Sequence, residues 1–447
     1  MTVTIAEVEI VGRVPGKPGY TRPRDQVVMS LPERGLQLGH WTQYRFNSNF
    51  LTPTDGWSFT LAENLLSGSE RRELRPGVRV TLSIDDHIQG DGYIDQVTIS
   101  NARGSGTEIT IEGRDRLAQA VDSSVDPRTK FTPNMTLSQF LAAVFKPFGW
   151  GDGRMQVNSN EENRNVLSGL RKGVPVNERG RRQPGAMAGG GRRRGGGRGG
   201  GRRRHKQPSA FQVHLLKPYP NEGAFAFAAR VAQRAGLWIW LSADAEELIV
   251  SEPDFDQEPR YVLRRHVEDP EALNNVVSGT VSQDMTDQPT IIIADGASGG
   301  GGFGHSKVRR YMENPVIRCD HTEILKAYPD AVRVDPDTTF PDELKLTMKR
   351  PRPLFLHDEE SKKPEMLDNY VRREMSLRMR KALECHYDVA GHSENGNIWA
   401  VDTMVEVDDE IGGVHEDLWI LGRTFAKNRG SGTTTTLELI RPGTLEF

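Results

Sequence analysis

Over most of the first 125 residues, apolar positions recur at every second residue in short runs broken by Pro, Gly and Asp. The clearest case is 91–122. Tyr93, Ile94, Val97 and Ile99 lie in its first segment, Ile109 and Ile111 alternate with Thr110 and Glu112 in its second, and small and glycine residues fill Asn101 to Gly106 between them. Alternation is what a half-buried strand requires, and small residues with Gly allow the backbone a tight reversal. The pattern predicts a β-hairpin. Thr2 to Val11, Gln26 to Ser30, Gly56 to Ala62 and Val78 to Leu82 read as further strands, so 1–125 is expected to form a small barrel or sandwich rather than a parallel sheet.

The period changes after residue 125. Thr136 and Gln139 have the spacing of a capping box, and Met135 is placed to staple onto Phe140. Leu137, Phe140, Leu141, Val144 and Phe145 then form one helical stripe that Pro147 closes. From 151 to 206 the pattern is lost, and Arg192, Arg193, Arg194, Arg198, Arg202, Arg203 and Arg204 sit among glycines. Such a composition cannot build a core and glycine is costly to order, which predicts a disordered or loosely ordered insertion. Pattern returns at Phe211. Asn221 is placed to cap a helix whose Phe225, Ala228, Ala229, Ala232 and Ala235 share a face, with Gly236 at its end. Residues 237–241 and 247–251 follow as a hairpin around 242–245, so 126–150 and 207–260 together predict a helix-and-hairpin domain.

In the remainder, 261–447, β signals run from Asn274 to Ala294 and end in the glycine-rich stretch Gly296 to Gly304. A helix is expected over 366–386, on the spacing of Leu367, Tyr370, Val371, Met375, Met379, Ala382 and Leu383. The last strands repeat the first hairpin. Arg103-Gly104-Ser105-Gly106-Thr107 recurs as Arg429-Gly430-Ser431-Gly432-Thr433, and Ile94 and Ile420 both stand nine residues before the arginine. Tyr93 matches Trp419, Ile99 matches Phe425, Ile111 matches Leu437, and Val78 to Leu82 corresponds roughly to Met404 to Val407. Chance can repeat a Gly-Ser turn, but an identical pentapeptide within aligned strands points to duplication. The fold class expected is therefore mainly β with α+β parts. Two similar small β-barrel domains, 1–125 and 261–447, would flank the helix-and-hairpin domain and the insertion 151–206, with the long helix 366–386 inside the second.

Composition adds bounds. A chain of 447 residues, 36% hydrophobic and 27% charged, can build several cores, and no run approaches the ~20 apolar residues of a membrane helix. The N-terminus alternates and lacks a basic start followed by an apolar core, so no secretory signal is expected and synthesis in a cytoplasm is. Cys319 and Cys385 form no CxxC pair, which excludes a disulfide framework and leaves a single bridge open. The net charge of −3 conceals the strongly basic segment.

Candidate chemistry is thin. No Gly-Lys-Ser or Gly-Lys-Thr follows Gly299 to Gly304, so an exposed loop is expected there instead of a phosphate site. Cys319-Asp320-His321 and Cys385-His386 fit no usual zinc spacing, with Cys385 inside the expected helix. Asp85-Asp86, Asp358-Glu359-Glu360 and Asp408-Asp409-Glu410 fall near strand ends and loops, where solvated charge is ordinary; a glycosidase needs two carboxylates facing across a cleft. No Gly-x-Ser-x-Gly elbow occurs. No catalytic, cofactor-binding or metal-binding residue is assigned, and a non-enzyme is expected. The Arg/Gly tract could hold RNA or DNA through phosphates without sequence preference, yet it lacks the interleaved aromatics that stack bases. A solvated insertion is the blander alternative.

As an ordered set, four segments resemble the baseplate hub proteins of contractile-tailed bacteriophages, most closely the Mu-like tail hub family. More distant kinship is to other phage tail hubs and to the base of the type VI secretion spike. The segments are the hairpin from Gly92-Tyr93-Ile94-Asp95 to Gly113-Arg114-Asp115; the short helix at Thr136; the helix and hairpin Glu222 to Glu252; and the course from Arg352-Pro353-Leu354 through the long helix to the final hairpin. The likeness covers most of the chain outside the Arg/Gly insertion and 307–349. It implies a structural virion protein of the tail baseplate, a ring-shaped homotrimer with six barrels around its axis. Such a ring would join the sixfold tail tube to the threefold central spike. Other baseplate proteins and the tape-measure protein are the further partners implied, with DNA passing through the channel without sequence-specific binding. The insertion departs from the family pattern and is expected on the outer rim. The alternative, from another class, is an RNA- or DNA-binding protein using the tract.

Overall fold

The computed structural model describes residues 25–157 and 217–445, apart from 63–64, 103–105, 132–134, 152–153, 234, 268–272, 297–307, 337–339, 343–344, 359–360, 362–363, 429 and 431. The expected strand at Thr2 to Val11, most of the insertion with its arginines, residues 103–105 of the first repeated turn, and Arg429 and Ser431 of the second lie outside the described residues.

The first segment is β1 (Val27–Leu31), β2 (Leu36–Leu38), β3 (Gln43–Asn49), β4 (Gly56–Ala62), α1 (Gly68–Glu73), β5 (Arg79–Ile84), β6 (His87–Ala102), β7 (Gly106–Asp115) and α2 (Ala118–Asp122). Alternate side chains go inward, as Val80, Leu82 and Ile84 do on β5. The predicted hairpin is β6 with β7, its first arm reaching back to His87. Asp85 and Asp86 form the two-residue turn before it, both at positive φ (47° and 69°), a conformation that Asp tolerates and a tight hairpin needs.

Next come α3 (Leu137–Phe145), β8 (Met155–Val157), α4 (Ala224–Gln233), β9 (Trp238–Leu241) and β10 (Leu248–Ser251). The capping box forms: Thr136 Oγ1 accepts from Gln139 N at 3.2 Å, and Gln139 Oε1 accepts from Thr136 N at 3.0 Å. Three expectations need correction. Residues 155–157 are a strand, paired parallel with β10, inside the stretch expected to lack structure. Asn221 lies in the turn before α4 at φ 65° and does not cap it. The buried face of α4 is Ala224, Phe227, Ala228, Val231 and Ala232, with Phe225 and Ala229 only partly covered. Two phenylalanines two residues apart cannot share a helical face, and Phe227 wins because it meets Phe140 at 5.2 Å.

The remainder runs β11 (Tyr261–Arg265), β12 (Val276–Ser282), β13 (Ile291–Gly296), β14 (Arg309–Glu313), β15 (Ile317–Arg318), α5 (Thr322–Lys326), β16 (Val332–Arg333), β17 (Leu346–Thr347), β18 (Pro353–Asp358), α6 (Pro364–Met379), β19 (Glu384–Ala390), β20 (Ser393–Glu394), β21 (Asn397–Ile398), β22 (Met404–Asp409), β23 (Val414–Asn428) and β24 (Gly432–Ile440). Within it the sheet β16-β14-β13-β18 and the inner face of α6 share a core of their own, built on Ile292, Ala294, Leu367, Val371 and Met375. The expected helix 366–386 is too long. It ends at Met379 with one 3₁₀ turn, and Cys385, Tyr387 and Val389 are then buried at period two, so Cys385 and His386 stand on a strand.

The main sheet has 13 strands, and its order repeats. One unit reads β3-β4-β7-β6-β5-β1 and the other β12-β19-β24-β23-β22-β11. Both long hairpins carry a bulge after the matched isoleucine, between Ile94 and Gln96 and between Ile420 and Gly422. Ile94 faces Gly113 as Ile420 faces Leu439, and Ala102 faces Gly106 as Asn428 faces Gly432. Bulges are inherited features of strand register, so the shared position argues for duplication beyond the pentapeptide. The units differ at one flank, where β1 runs antiparallel to β5 and β11 parallel to β22. Among the described residues the hydrogen-bonded path closes neither unit into a barrel.

Candidate functional site

The two units meet edge to edge. β3 pairs with β4 on one side and with the second half of β23 on the other, from Gly422 opposite Asn49 to Lys427 opposite Tyr44. Phe46 lies opposite Phe425, their ring centres 6.1 Å apart, and Phe425 is 1% exposed. Gly422 is required by the close approach, because a Cβ there would lie 2.6 Å from Asn49 Nδ2. That amide instead donates to Glu438 Oε2 at 2.8 Å.

His392 fastens the seam from the loop after β19. Its ring packs on Phe425 at 4.7 Å, Tyr44 Oη lies 2.7 Å from Nε2, and Nδ1 lies 3.0 Å from Thr435 Oγ1. The Thr435 hydroxyl already donates to Gly391 O at 2.6 Å. Nδ1 must therefore carry the proton, and Nε2 accepts from Tyr44. Burial pushes the His392 pKa down to about 3, so the imidazole is neutral. Beside it, Arg423 is buried and donates from Nη1 to Trp399 O. Burial lowers its pKa to about 10, against the attraction of Asp55. Burial likewise raises Asp55 and Asp115, which exchange backbone and carboxylate contacts across β4 and β7.

An aromatic cluster ties the helix-and-hairpin region to this seam. Phe50 lies 4.8 Å from Trp240 and 5.0 Å from Trp419, and Phe255 packs on Trp419 from the other side at 5.2 Å.

The matching edge of the first unit is open. Beyond Ile94, β6 pairs only with β7 among the described residues. Ile99 is consequently 48% exposed, although its counterpart Phe425 is buried. Val97, Ile99 and Ile109 floor a groove walled by Leu74, Arg71 and Arg72. Among the described residues β12 likewise pairs with no strand but β19, and Val277 is 65% exposed, although Arg265 Nη1 donates to Gly279 O at 3.2 Å.

The residues weighed for chemistry in the sequence do not converge. Cys319 is half-buried and Cys385 buried, both free thiols. Among the described residues no three His, Cys, Asp or Glu side chains gather as metal ligands would. Asp408 pairs with His415 at 2.7 Å and His266 at 2.9 Å, and Asp409 with Arg265 at 2.7 Å and Tyr387 Oη at 2.9 Å. Asp358 accepts from Ser361 Oγ at 2.5 Å at the end of β18. Of the glycine-rich stretch only Gly296 is described, as the last residue of β13. Sequence reasoning missed His392, Arg423 and Asp55. The one signal available was Arg423 itself, the lone charge in the mostly apolar run from Leu418 to Phe425.

Residues 29–115 match the family model described as Mu phage baseplate assembly protein GpP-like, N-terminal. The match runs from β1 to the last residue of β7, which is the extent of the first repeated unit. Among solved structures, the tail protein from Neisseria meningitidis MC58 is similar with a TM-score of 0.64 at 19% identity, over 94% of this chain and 97% of that one. The 43 kDa tail protein of prophage MuSo2 from Shewanella oneidensis gives 0.61 at 18% identity, over 94% and 99%. At such identities the likeness is one of fold. Comparison with curated proteins gave no match. Residues 29–115 thus carry a match to the N-terminal domain of Mu phage baseplate assembly proteins of the GpP-like type, and the fold around that segment is similar to that of phage tail proteins.

Proposed function

We propose that the chain is a structural hub of a phage tail baseplate and performs no catalysis. Three copies form a ring in which each of the two repeated units acts as one small barrel, six around the axis. One face of such a ring is near sixfold and suits a sixfold tail tube; the other remains threefold and suits a trimeric spike. The observation that carries this reading is the repeated strand order with its shared bulge, in a chain whose first unit matches a baseplate assembly family. DNA passes through the lumen held by no sequence-specific contact. Native mass spectrometry of the chain, alone and with its spike, is expected to give a threefold mass, and a monomer under both conditions would refute the ring.

The Arg/Gly tract is an insertion on the outer rim. Its near flank is β8, an edge strand of the separate three-stranded sheet β8-β10-β9, in which the opposite edge strand β9 carries the Trp240 that meets the seam. Deleting Asn177 to Lys206 is expected to leave trimer formation unchanged and DNA ejection at the wild-type rate. Normal assembly with blocked ejection would place the tract in the lumen.

A further inference from the structure

The open edges of β6 and β12 are the two halves of a seam that the chain already makes once internally. Phe59 faces Ile111 as Tyr387 faces Leu437, and Tyr44 faces Phe59 as Gly279 faces Tyr387. β3 therefore corresponds to β12, with Tyr44 at Gly279 and Phe46 at Val281. The hairpin repeat places β23 on β6, with Phe425 at Ile99. In one chain, β23 of the second unit is covered by β3 of the first. The equivalent partners, β6 of the first beyond Ile94 and β12 of the second, have no strand paired on that side among the described residues, although Arg265 Nη1 reaches β12 to donate to Gly279 O at 3.2 Å.

We propose that β6 of one copy pairs antiparallel with β12 of a second copy, in the register that sets Ile99 opposite Val281, Ser100 opposite Thr280 and Thr98 opposite Ser282. This rests on the trimeric reading above and names the surface that would build it. Natural edge strands are guarded against such pairing by charge, Pro or brevity. These are not: Gln96 to Ala102 and Val276 to Ser282 contain no charged residue and no Pro. Ile99 projects from the core face with 48% of its surface exposed, at the place where the internal seam buries an aromatic pair. Each copy owns one β6 edge and one β12 edge, so the contact is head to tail and closes into a ring with two quasi-equivalent seams per chain.

Two measurements test it. Ile99→Lys sets an unpaired charge in the seam and is expected to raise the concentration at which the ring dissociates by about 100-fold, while circular dichroism and the unfolding midpoint of the monomer stay near wild type. In a Cys319→Ser background, Ser100→Cys with Thr280→Cys is expected to oxidise to a chain-to-chain disulfide. Ser100→Cys with Val281→Cys, one residue out of register, sets the thiols on opposite faces and should not. Rings that resist Ile99→Lys, or cross-linking only in the slipped pair, would overturn the seam and leave the ring itself standing. A chain that stays monomeric with and without its spike overturns both, and a monomer whose β6 amides are protected from exchange would assign that edge to a segment of its own chain.

Discussion

Asp409→Ala is expected to lower the unfolding free energy by about 3–5 kcal/mol, because it strands a guanidinium whose one acid partner among the described residues is Asp409. Asp409 is 1% exposed and accepts from Arg265 Nε and Nη2, both at 2.7 Å, from Tyr387 Oη at 2.9 Å, and from the Ile411 and Gly412 amides. Burial alone would raise its pKa, but the hydrogen bonds from Arg265, Gly412 and Tyr387 outweigh it and hold the carboxyl below the usual range. Its folded pKa is depressed, so this contribution is full above the unfolded carboxylate pKa and is lost as pH falls through the folded one. Arg265→Met in the same background supplies the control. Removing both partners leaves no buried charge, so the double variant should lose less than the two single losses added together. Urea unfolding of the four proteins measures this, and a loss under about 1 kcal/mol for Asp409→Ala would mean that water reaches Arg265.

The second large effect appears on acidification. His392 has a folded pKa of about 3 against an ordinary 6.5. Between those values the unfolded chain binds the proton and the folded chain does not, so stability falls as pH is lowered from about 6.5. At ~1.4 kcal/mol per unit, wild type should lose about 2–3 kcal/mol relative to His392→Gln between pH 7 and 4.5. The comparison with the variant is essential because other groups titrate the opposite way. Burial raises Asp402 to about 7, and Asp55 and Asp115 are also raised, which stabilises the folded chain over the same range. Those terms cancel between the two proteins. A stability difference that stays constant with pH would show that His392 is not buried neutral in the seam.

What could be read in the sequence was local. The strands from Gly56 to Ala62 and on either side of Asn101–Gly106 repeat every two residues over enough length to declare themselves, and the Thr136 helix carries both its cap and its stripe. The repeat of strand order was legible because the two turns share five letters. Cys385 was misplaced for an instructive reason: Met379, Ala382 and Leu383 continue the helical spacing of α6 up to the point where Cys385, Tyr387 and Val389 begin a strand, and the two periods overlap for one turn. Three-residue β8 is too short to show any period. The seam had no signal at all, since the register of Phe46 on Phe425 depends on a bulge at Leu421 and on Gly422, and neither letter announces a partner near the other end of the chain. His392 looks like any loop histidine until Tyr44 and Thr435 are brought to its two nitrogens.

The pairing of β3 with β23 also constrains how the chain is made. Asn49 and Glu438, hydrogen-bonded across the seam, are 389 positions apart. At bacterial translation speeds the interval between them is about 20–80 s. Throughout that time β1, β4, β5, β6 and β7 can assemble locally, but β3 presents an unpaired, aromatic-bearing edge on the ribosome. Neighbouring ribosomes on one message would carry the same edge side by side, together with the uncharged β6. Completion of the fold is thus a late, long-range event, slow by its topology, and the nascent chain depends on being kept apart from its own siblings until β23 arrives to cover β3.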